Sequence, residues 1–408
     1  MKIAIITSGF LPVVDGVTIT VFQRIQKLSQ LGHQVLLFCP DYSALPTIYP
    51  HWKDYTGDIL PGVRVINLDS TAFTGVDFER NVSQKSYQIV LEELEQFQPD
   101  IIHVDEPERL WLGFLKRPGI DFSKQYNIPC VSFFHSNLME YLEDYLPLPY
   151  VIIAGIQFLL KFHFRWTYNG YNATLTASSS SAKKLVKVGL CNVIFDQLLG
   201  VDLEQFNPYK REENFFAKHY HLSNVDDKVK LIFLGRLTPD KGWKFTLKSL
   251  PKIQELIDLD QVSFIIAGDG ELKDEIAQNF KSFTSNIHFL GRVEPSQVAG
   301  LLANSDIHIT TSEKETRGLT ILEAFASGIP VLAPAAGGVI DSIESGKNGL
   351  LFTPKNADDF AKKLKVLVEN SGLREQMGQQ GRETVKDFSW DEAVQNLLEI
   401  WKQQIEQK

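Results

Sequence analysis

The chain has 408 residues, of which 44% are hydrophobic and 22% charged, and its net charge is −9. This length fills about two or three domains with complete cores, and the composition is that of a soluble globular protein. The acidic balance excludes bulk attraction to nucleic acid and leaves room only for local basic patches.

Cys39, Cys130 and Cys191 lie far apart and form no C-x-x-C pair. They read as buried thiols of a reducing cytosol, not as a disulfide or zinc framework. MKIAIITSGF carries one basic residue and an apolar run of strand length, so it does not read as a signal peptide. No run approaches the ~18 apolar residues of a membrane-spanning helix.

KIAIITSGF reads as a buried parallel strand that ends in Ser-Gly. After FLPVVDGV, the stretch ITVFQRIQKLSQLGH has helical spacing (Val21, Ile25, Leu28, Leu31) and Gly32 as its stop, and QVLLFCP is the next strand. Strand, glycine loop, helix, strand is the start of a Rossmann-like half, and Gly16 in the loop would let backbone approach a ligand closely. G-x-G-x-x-G is absent, so a dinucleotide is not indicated. Residues 41–61 are rich in Tyr, Pro and Asp and read as a long loop.

VRVINL, PDIIHVD and CVSFFHS continue the strands. His103, Asp105 and Glu106 fall at a strand's carboxyl end, where open α/β sheets build their sites; one histidine among acids there reads as local hydrogen bonding rather than a metal site. His135 leaves the following strand in SFFHSNLMEYLEDY.

Residues 150–160 taken alone read as a core helix of the first domain. Beyond them, Lys161, Phe162, His163, Phe164, Arg165 and Trp166 mix aromatics with cations, Lys183, Lys184 and Lys187 follow, and no acid intervenes. As a whole this zone suits an interfacial helix on an anionic lipid surface.

NVIFDQLLGVDLEQFNPYKREEN is the expected junction between domains. KVKLIFLGRLTPDKGWKFTLKSL then reads as strand, loop and helix. Its loop sets Arg236 and Lys241 beside two glycines at a strand end, a combination that suits a diphosphate. VSFIIAGDGELKDEI is another strand, turn and helix, and IHIT leads into SEKETRGLTILEAFASGIPVLAPAAGG, Ser312 to Gly338. There Glu315 is expected on a loop and Glu323 on a helix that Gly328 and Pro330 stop, with VLAP as a buried strand. The helix N-terminus near Leu319 and Thr320 is a ready anion site. Gly337 and Gly338 form a further turn on this side. FSWDEAVQNLLEIWKQQIEQK is an amphipathic helix with Trp390, Val394, Leu397, Leu398 and Trp401 on one face.

ETRGLTILEAFASGIPVLAPAAGG resembles the E-x7-E signature of the retaining, nucleotide-sugar-dependent family 4 glycosyltransferases. LPVVDGV, SFFHSN, GVD and GRLTPDKG precede it in that family's order, so the resemblance covers nearly the whole chain. It implies an α/β, GT-B fold: two Rossmann-like domains with parallel sheets facing a central cleft. The expected parts are an acceptor domain over 1–205, a nucleotide-sugar domain over 206–386, and a last helix over 387–408 returning to the first domain.

The resemblance also implies roles. Gly16 would face the donor phosphates, Arg236 and Lys241 would hold the diphosphate, and backbone near Arg292 and Val293 would lie on the base. Glu315 would hold sugar hydroxyls, Glu323 the ribose, and Leu319 and Thr320 a phosphate. His135, Glu315, Arg236 and Lys241 form the expected catalytic set.

The implied reaction moves a hexose from a UDP- or GDP-linked donor to a lipid hydroxyl of diacylglycerol or phosphatidylinositol type. It proceeds with retention and without a metal or a further cofactor, at the cytoplasmic face of a membrane. SFFHSNLMEYLEDY is similar to members acting on lipids, including sulfoquinovosyl- and mannosyltransferases. A soluble saccharide acceptor, an epimerase and a non-catalytic nucleotide-sugar sensor remain alternatives. Arg317 departs from the family, which places an aromatic or aliphatic residue there; it would either face an acidic or sulfonated sugar or point to solvent.

Overall fold

The computed structural model describes residues 1–73, 76–136, 138–146 and 148–407. Packing divides the chain into two units. The first comprises Met1–Met139, Leu148–Leu199 and Trp390–Lys408; the second comprises Glu140–Pro147 and Gly200–Ser389.

The first unit is built on a sheet of β1 (Lys2–Ile6), β2 (Gln34–Pro40), β3 (Gly57–Leu60), β4 (Val63–Leu68), β7 (Ile101–Asp105), β8 (Cys130–Phe133), β9 (Ala173–Thr176) and β10 (Val193–Phe195). Its order is β10-β9-β8-β7-β1-β2-β4-β3, and β5 (Ser70–Phe73) with β6 (Val76–Val82) forms a separate antiparallel ribbon. The interior strands are parallel and covered on both faces. That is why β1 needs an unbroken apolar run, and Ile3, Ala4, Ile5 and Ile6 are all fully buried.

Only β3 runs antiparallel to its sheet neighbour, at the exposed edge. It lies within residues 41–61, which therefore hold a 3-10 turn (Trp52–Tyr55) and a strand rather than an unbroken loop. The short exposed edge strand GDIL carries no apolar alternation that could announce it.

The helix Gly16–Gln30 starts at Asp15, whose carboxylate accepts from the amides of Val17 and Thr18, both at 2.9 Å. The C-terminal helix Trp390–Glu406 packs on this helix. It buries Trp401 completely and pairs Asp391 with Lys27 at 2.9 Å.

Two expectations fail in this unit. Cys39 and Cys130 are buried, but Cys191 is exposed, because it lies in the turn just beyond Gly189, where the helix Ser179–Val188 ends. Residues 150–160 are not a core helix. They open the helix Tyr150–Tyr168, on which only Ile153, Phe164, Thr167 and Tyr168 are buried. Val151 is 80% and Leu159 69% exposed.

The second unit holds a parallel sheet of β11 (Val229–Leu234), β12 (Val262–Ala267), β13 (Ile287–Gly291), β14 (Ile307–Ile309), β15 (Val331–Pro334) and β16 (Gly349–Phe352), in the order β13-β12-β11-β14-β15-β16. One core cluster gathers Phe216, Ile321, Leu322 and Phe325. Another gathers Trp243, Phe264, Phe280 and Phe360. Each such side chain, fully buried, contributes about 1.5–3 kcal/mol.

Both sheets reverse strand order beside their first strand. The switch lies between β1 and β7 in the first unit and between β11 and β14 in the second. In open α/β sheets the carboxyl ends of such a pair are where ligand sites are built.

Candidate active site

At the switch point of the second unit, β11 runs into Gly235 and Arg236, then a 3-10 turn over Pro239–Lys241, then the helix Trp243–Leu256. β14 runs into residues 310–318 and the helix Leu319–Ala326. The two loops are pinned together. Thr246 and Thr311 share a hydroxyl hydrogen bond of 2.8 Å, Thr311 Oγ1 donates to the Lys241 carbonyl at 3.2 Å, and Ser312 Oγ donates to the Asp240 carbonyl at 3.2 Å. Gly242 allows this approach: its φ is +76°, and a Cβ there would lie 2.2 Å from the Thr311 carbonyl oxygen.

This pinning brings Lys241 Nζ to 2.7 Å from Glu315 Oε1. Arg236 stands 3.7 Å from the carboxylate of Asp240. Asp240 is buried, and burial alone would raise its carboxyl; Lys241 and Arg236 instead hold it below the usual carboxylate range. Tyr145, in the short segment that clusters with this unit, donates to Asp240 Oδ1 at 2.6 Å. Asp240 therefore pairs with Arg236 and offsets the charge of the adjoining Lys241.

Glu315 is held by its backbone as well. The Gly338 amide donates to the Glu315 carbonyl at 2.7 Å, and a Cβ on Gly338 would lie 1.7 Å from the Thr316 carbonyl oxygen. The helix after the loop starts at Gly318, with φ +79° and no side-chain cap on its first amides. Leu319 and Thr320 are its first two residues. Thr320 Oγ1 lies 3.2 Å from His308 Nε2, and burial pushes the His308 imidazole down to about 4, so it is neutral at pH 7.

Glu323, on the second turn, makes no side-chain hydrogen bond or ion pair among the described residues, and burial pushes its carboxyl up to about 7. The structure thus places Arg236 and Lys241 after β11, Glu315 on the loop pinned to them, and Leu319, Thr320 and Glu323 on the helix that follows that loop. Val293 lies just past the end of β13, with its side chain against the core cluster that also holds Ile321 and Leu322.

Arg317 does not point to solvent. It is buried, with its guanidinium 5.3 Å from the centre of the Phe388 ring.

In the first unit, the switch-point strand β7 ends in a buried charged cluster. Arg24 Nη1 donates to Asp105 Oδ2 at 3.1 Å and lies 2.8 Å from His103 Nε2. His135 Nε2 lies 2.6 Å from Asp105 Oδ1, and its ring stacks on Phe133 with centroids 4.1 Å apart. Burial would raise the Asp105 carboxyl, but Arg24, His103 and His135 hold it well below the usual range. Burial, with Arg24 adding to it, pushes His103 down to about 4.

Glu106, the next residue, has a left-handed backbone (φ 52°) and accepts from the hydroxyls of Ser8 and Ser136, tying the ends of β1 and β8 to β7. The local hydrogen bonding expected of His103, Asp105 and Glu106 is thus present, organised around Arg24. His135 is oriented by Asp105, but Asn137 of its motif lies outside the described residues. Gly16 is exposed at the start of its helix, and a Cβ there would meet nothing within 4 Å. The Asp15 carboxylate already takes the adjoining amides.

Sequence reasoning missed Arg24, Asp240 and His308. Arg24 and Asp240 carry a local signal only in hindsight, as charges inside otherwise apolar or glycine-bounded stretches.

Two mostly parallel sheets, each with a switch point at which charged side chains gather, define an α/β protein of two Rossmann-like units. The family described as Glycosyltransferase Family 4 matches residues 14–204, and that described as Glycosyl transferases group 1 matches residues 216–384. The chain belongs to the family 4 glycosyltransferases.

Its relatives include the sulfoquinovosyl transferase SQD2 of Arabidopsis thaliana, 29% identical over 76% of this chain and 57% of that protein. The chain thus spans little more than half the length of that relative. A GDP-mannose-dependent alpha-mannosyltransferase of Corynebacterium glutamicum is 28% identical over 98% of this chain and 88% of its own. The alpha-monoglucosyldiacylglycerol synthase of Streptococcus pneumoniae is 26% identical over 82% and 71%.

Sucrose-phosphate synthase from Thermosynechococcus elongatus superposes with a TM-score of 0.76 at 17% identity, covering all of both chains. Anabaena HepE, solved with UDP and glucose, superposes with a TM-score of 0.74 at 18% identity over 99% of this chain and all of its own. The fold is GT-B.

Proposed function

We propose that the protein is a retaining glycosyltransferase that moves a hexose from a UDP- or GDP-linked donor to the hydroxyl of a lipid. The carrying observation is the Lys241–Glu315 contact at the switch point of the second unit, with Arg236 on the adjoining loop and an uncapped helix start beside them. A site that ejects a nucleoside diphosphate must stabilise charge growing on the leaving oxygen. Arg236, Lys241 and the amides of Leu319 and Thr320 supply that stabilisation from protein groups alone.

When the diphosphate arrives, it competes with Glu315 for Lys241. Glu315 is then available to accept hydrogen bonds from sugar hydroxyls. Glu323 takes the ribose hydroxyls, as an acceptor once it is ionised. The bond between the anomeric carbon and the diphosphate oxygen breaks, and the acceptor oxygen bonds to that carbon on the same face. The acceptor proton passes to a phosphate oxygen, so no enzymic nucleophile is needed. His135, oriented by Asp105, is the group of the first unit assigned to the reacting hydroxyls.

The lipid acceptor is supported by relatives named as sulfoquinovosyl transferase and monoglucosyldiacylglycerol synthase, and by the exposed apolar helix Tyr150–Tyr168. That helix is assigned to peripheral contact with a membrane at its cytoplasmic face. Among the described residues, no helix is long and apolar enough to cross one.

The test is a transfer screen with UDP-, GDP- and ADP-sugars, combined with diacylglycerol, with a soluble sugar, or with no acceptor. Nucleotide release that rises only with lipid supports the proposal and names the donor. Release that rises only with the soluble sugar replaces the lipid with a saccharide acceptor. Sugar interconversion without acceptor makes the protein an epimerase, and nucleotide-sugar binding without turnover makes it a sensor.

A further inference from the structure

The exposed residues of the helix Tyr150–Tyr168 follow helical spacing. Val151, Phe158, Leu159, Phe162 and Trp166 share one face, with Trp166 50% exposed. Arg165 borders that face. Beyond it opens a recess of about 560 Å³ lined by Arg117, Phe162, Arg165, Trp166, Asn169 and Gly170.

Arg117 is fixed there. Its guanidinium lies 4.2 Å from the centre of the Trp166 ring, and Nη1 donates to the Trp166 carbonyl at 3.0 Å. Gly170 makes room for it, since a Cβ at that position would lie 2.2 Å from Nη1. Neither Arg117 nor Arg165 is paired with a carboxylate among the described residues. In a chain of net charge −9, two unpaired guanidinium groups beside an aromatic face are a specific arrangement.

An apolar face alone would enter any bilayer without choosing a headgroup. Two guanidinium forks at its border match the oxygens of a phosphodiester, while the ring faces lie at the depth of the glycerol and upper acyl chains. We infer that the recess between Arg117 and Arg165 seats the phosphodiester of an anionic phospholipid, whose acyl chains lie along the Phe158–Phe162–Trp166 face. This rests on the membrane contact proposed above and adds to it a defined headgroup site. The lipid held there is distinct from the acceptor, which has to reach the glycosyltransferase site.

The full chain is tested for binding to phosphatidylcholine vesicles with and without phosphatidylglycerol, and to short-chain phosphatidylglycerol below its micelle concentration, with Trp166 emission as the probe. Wild type should prefer the anionic vesicles and bind the short-chain lipid saturably. Arg165→Gln should weaken the anionic preference by about fivefold, and Arg117→Gln by a similar factor. Arg117→Lys, which keeps the charge but loses the fork, should retain vesicle binding and lose the saturable phase. Lys183→Gln should lower vesicle binding without touching the saturable phase.

No wild-type binding to either vesicle overturns the membrane reading together with the site. Wild-type vesicle binding that Arg165→Gln leaves unchanged overturns the site alone. Equal saturation by inorganic phosphate overturns the assignment to lipid.

Discussion

Replacing Glu323 with Gln should stabilise the ligand-free protein at high pH while weakening its hold on nucleotide. The carboxyl makes no side-chain hydrogen bond or ion pair among the described residues, and burial raises it from 4.5 to about 7. A raised acid favours the uncharged form in the fold. Its contribution is therefore fully present below the unfolded value near 4.5 and is lost as pH rises through about 7. At about 1.4 kcal/mol per unit, ionising Glu323 in place costs about 3 kcal/mol at pH 9.

Gln keeps the shape and removes that cost. The variant and wild type should therefore differ little at pH 5 and by about 3 kcal/mol at pH 9, in the variant's favour. Urea unfolding at a series of pH values measures this directly, and nucleotide titration of the same two proteins should show affinity falling about tenfold, the loss of a hydrogen bond to a charged group. A stability gap that does not change with pH, or a wild type that is the more stable at pH 9, would refute the reasoning.

Lys241→Ala or Glu315→Ala should lower kcat/KM for sugar transfer by about a hundredfold or more, with far-UV circular dichroism unchanged; near-normal turnover in either would sink the donor-site assignment. Gly338→Ala drives a Cβ into the Thr316 carbonyl, where only backbone could yield, and should cost several kcal/mol in thermal unfolding together with donor binding. Gly16→Ala, with open space at its Cβ, should leave stability within about 0.5 kcal/mol and raise the donor KM if its backbone meets the phosphates. Asp105→Asn strands the buried Arg24 charge and should cost about 3–5 kcal/mol; Arg24→Met in the same chain should recover much of that, and additive losses in the double-mutant cycle would reject the coupling.

The local chemistry of the second unit's site is written in the sequence because the fold sets its groups at strand ends. An apolar strand followed by GRLTPDKG, or by a loop, Gly318 and an apolar helix, announces where backbone turns sharply and where cations or carboxylates stand. Periodicity likewise identifies β1, β11 and the helices Gly16–Gln30 and Trp390–Glu406, since a strand buried on both faces needs an unbroken apolar run. The edge strand β3 had no such pattern, since it is largely solvated and owes its form to pairing with β4.

Residue types, their order and the strand-end positions of Arg236, Lys241, Glu315 and His135 were thus determined by sequence alone. Pairings across long stretches of chain were decided only by tertiary structure: Lys241 with Glu315, 74 residues on, and Arg24 with Asp105, 81 residues on. Such contacts depend on which strands become neighbours, and the one-dimensional pattern does not record that.

Exposure belongs to the same class. For Arg317 the sequence leaves a donor-facing and a solvated setting open, and the packed chain removes the solvated one by laying it on Phe388. Val151 and Leu159 look like core and stand in solvent. Cys191 looks like a buried thiol and is exposed. Hydrophobicity states what a side chain would gain by being covered; only the packed chain decides whether anything covers it.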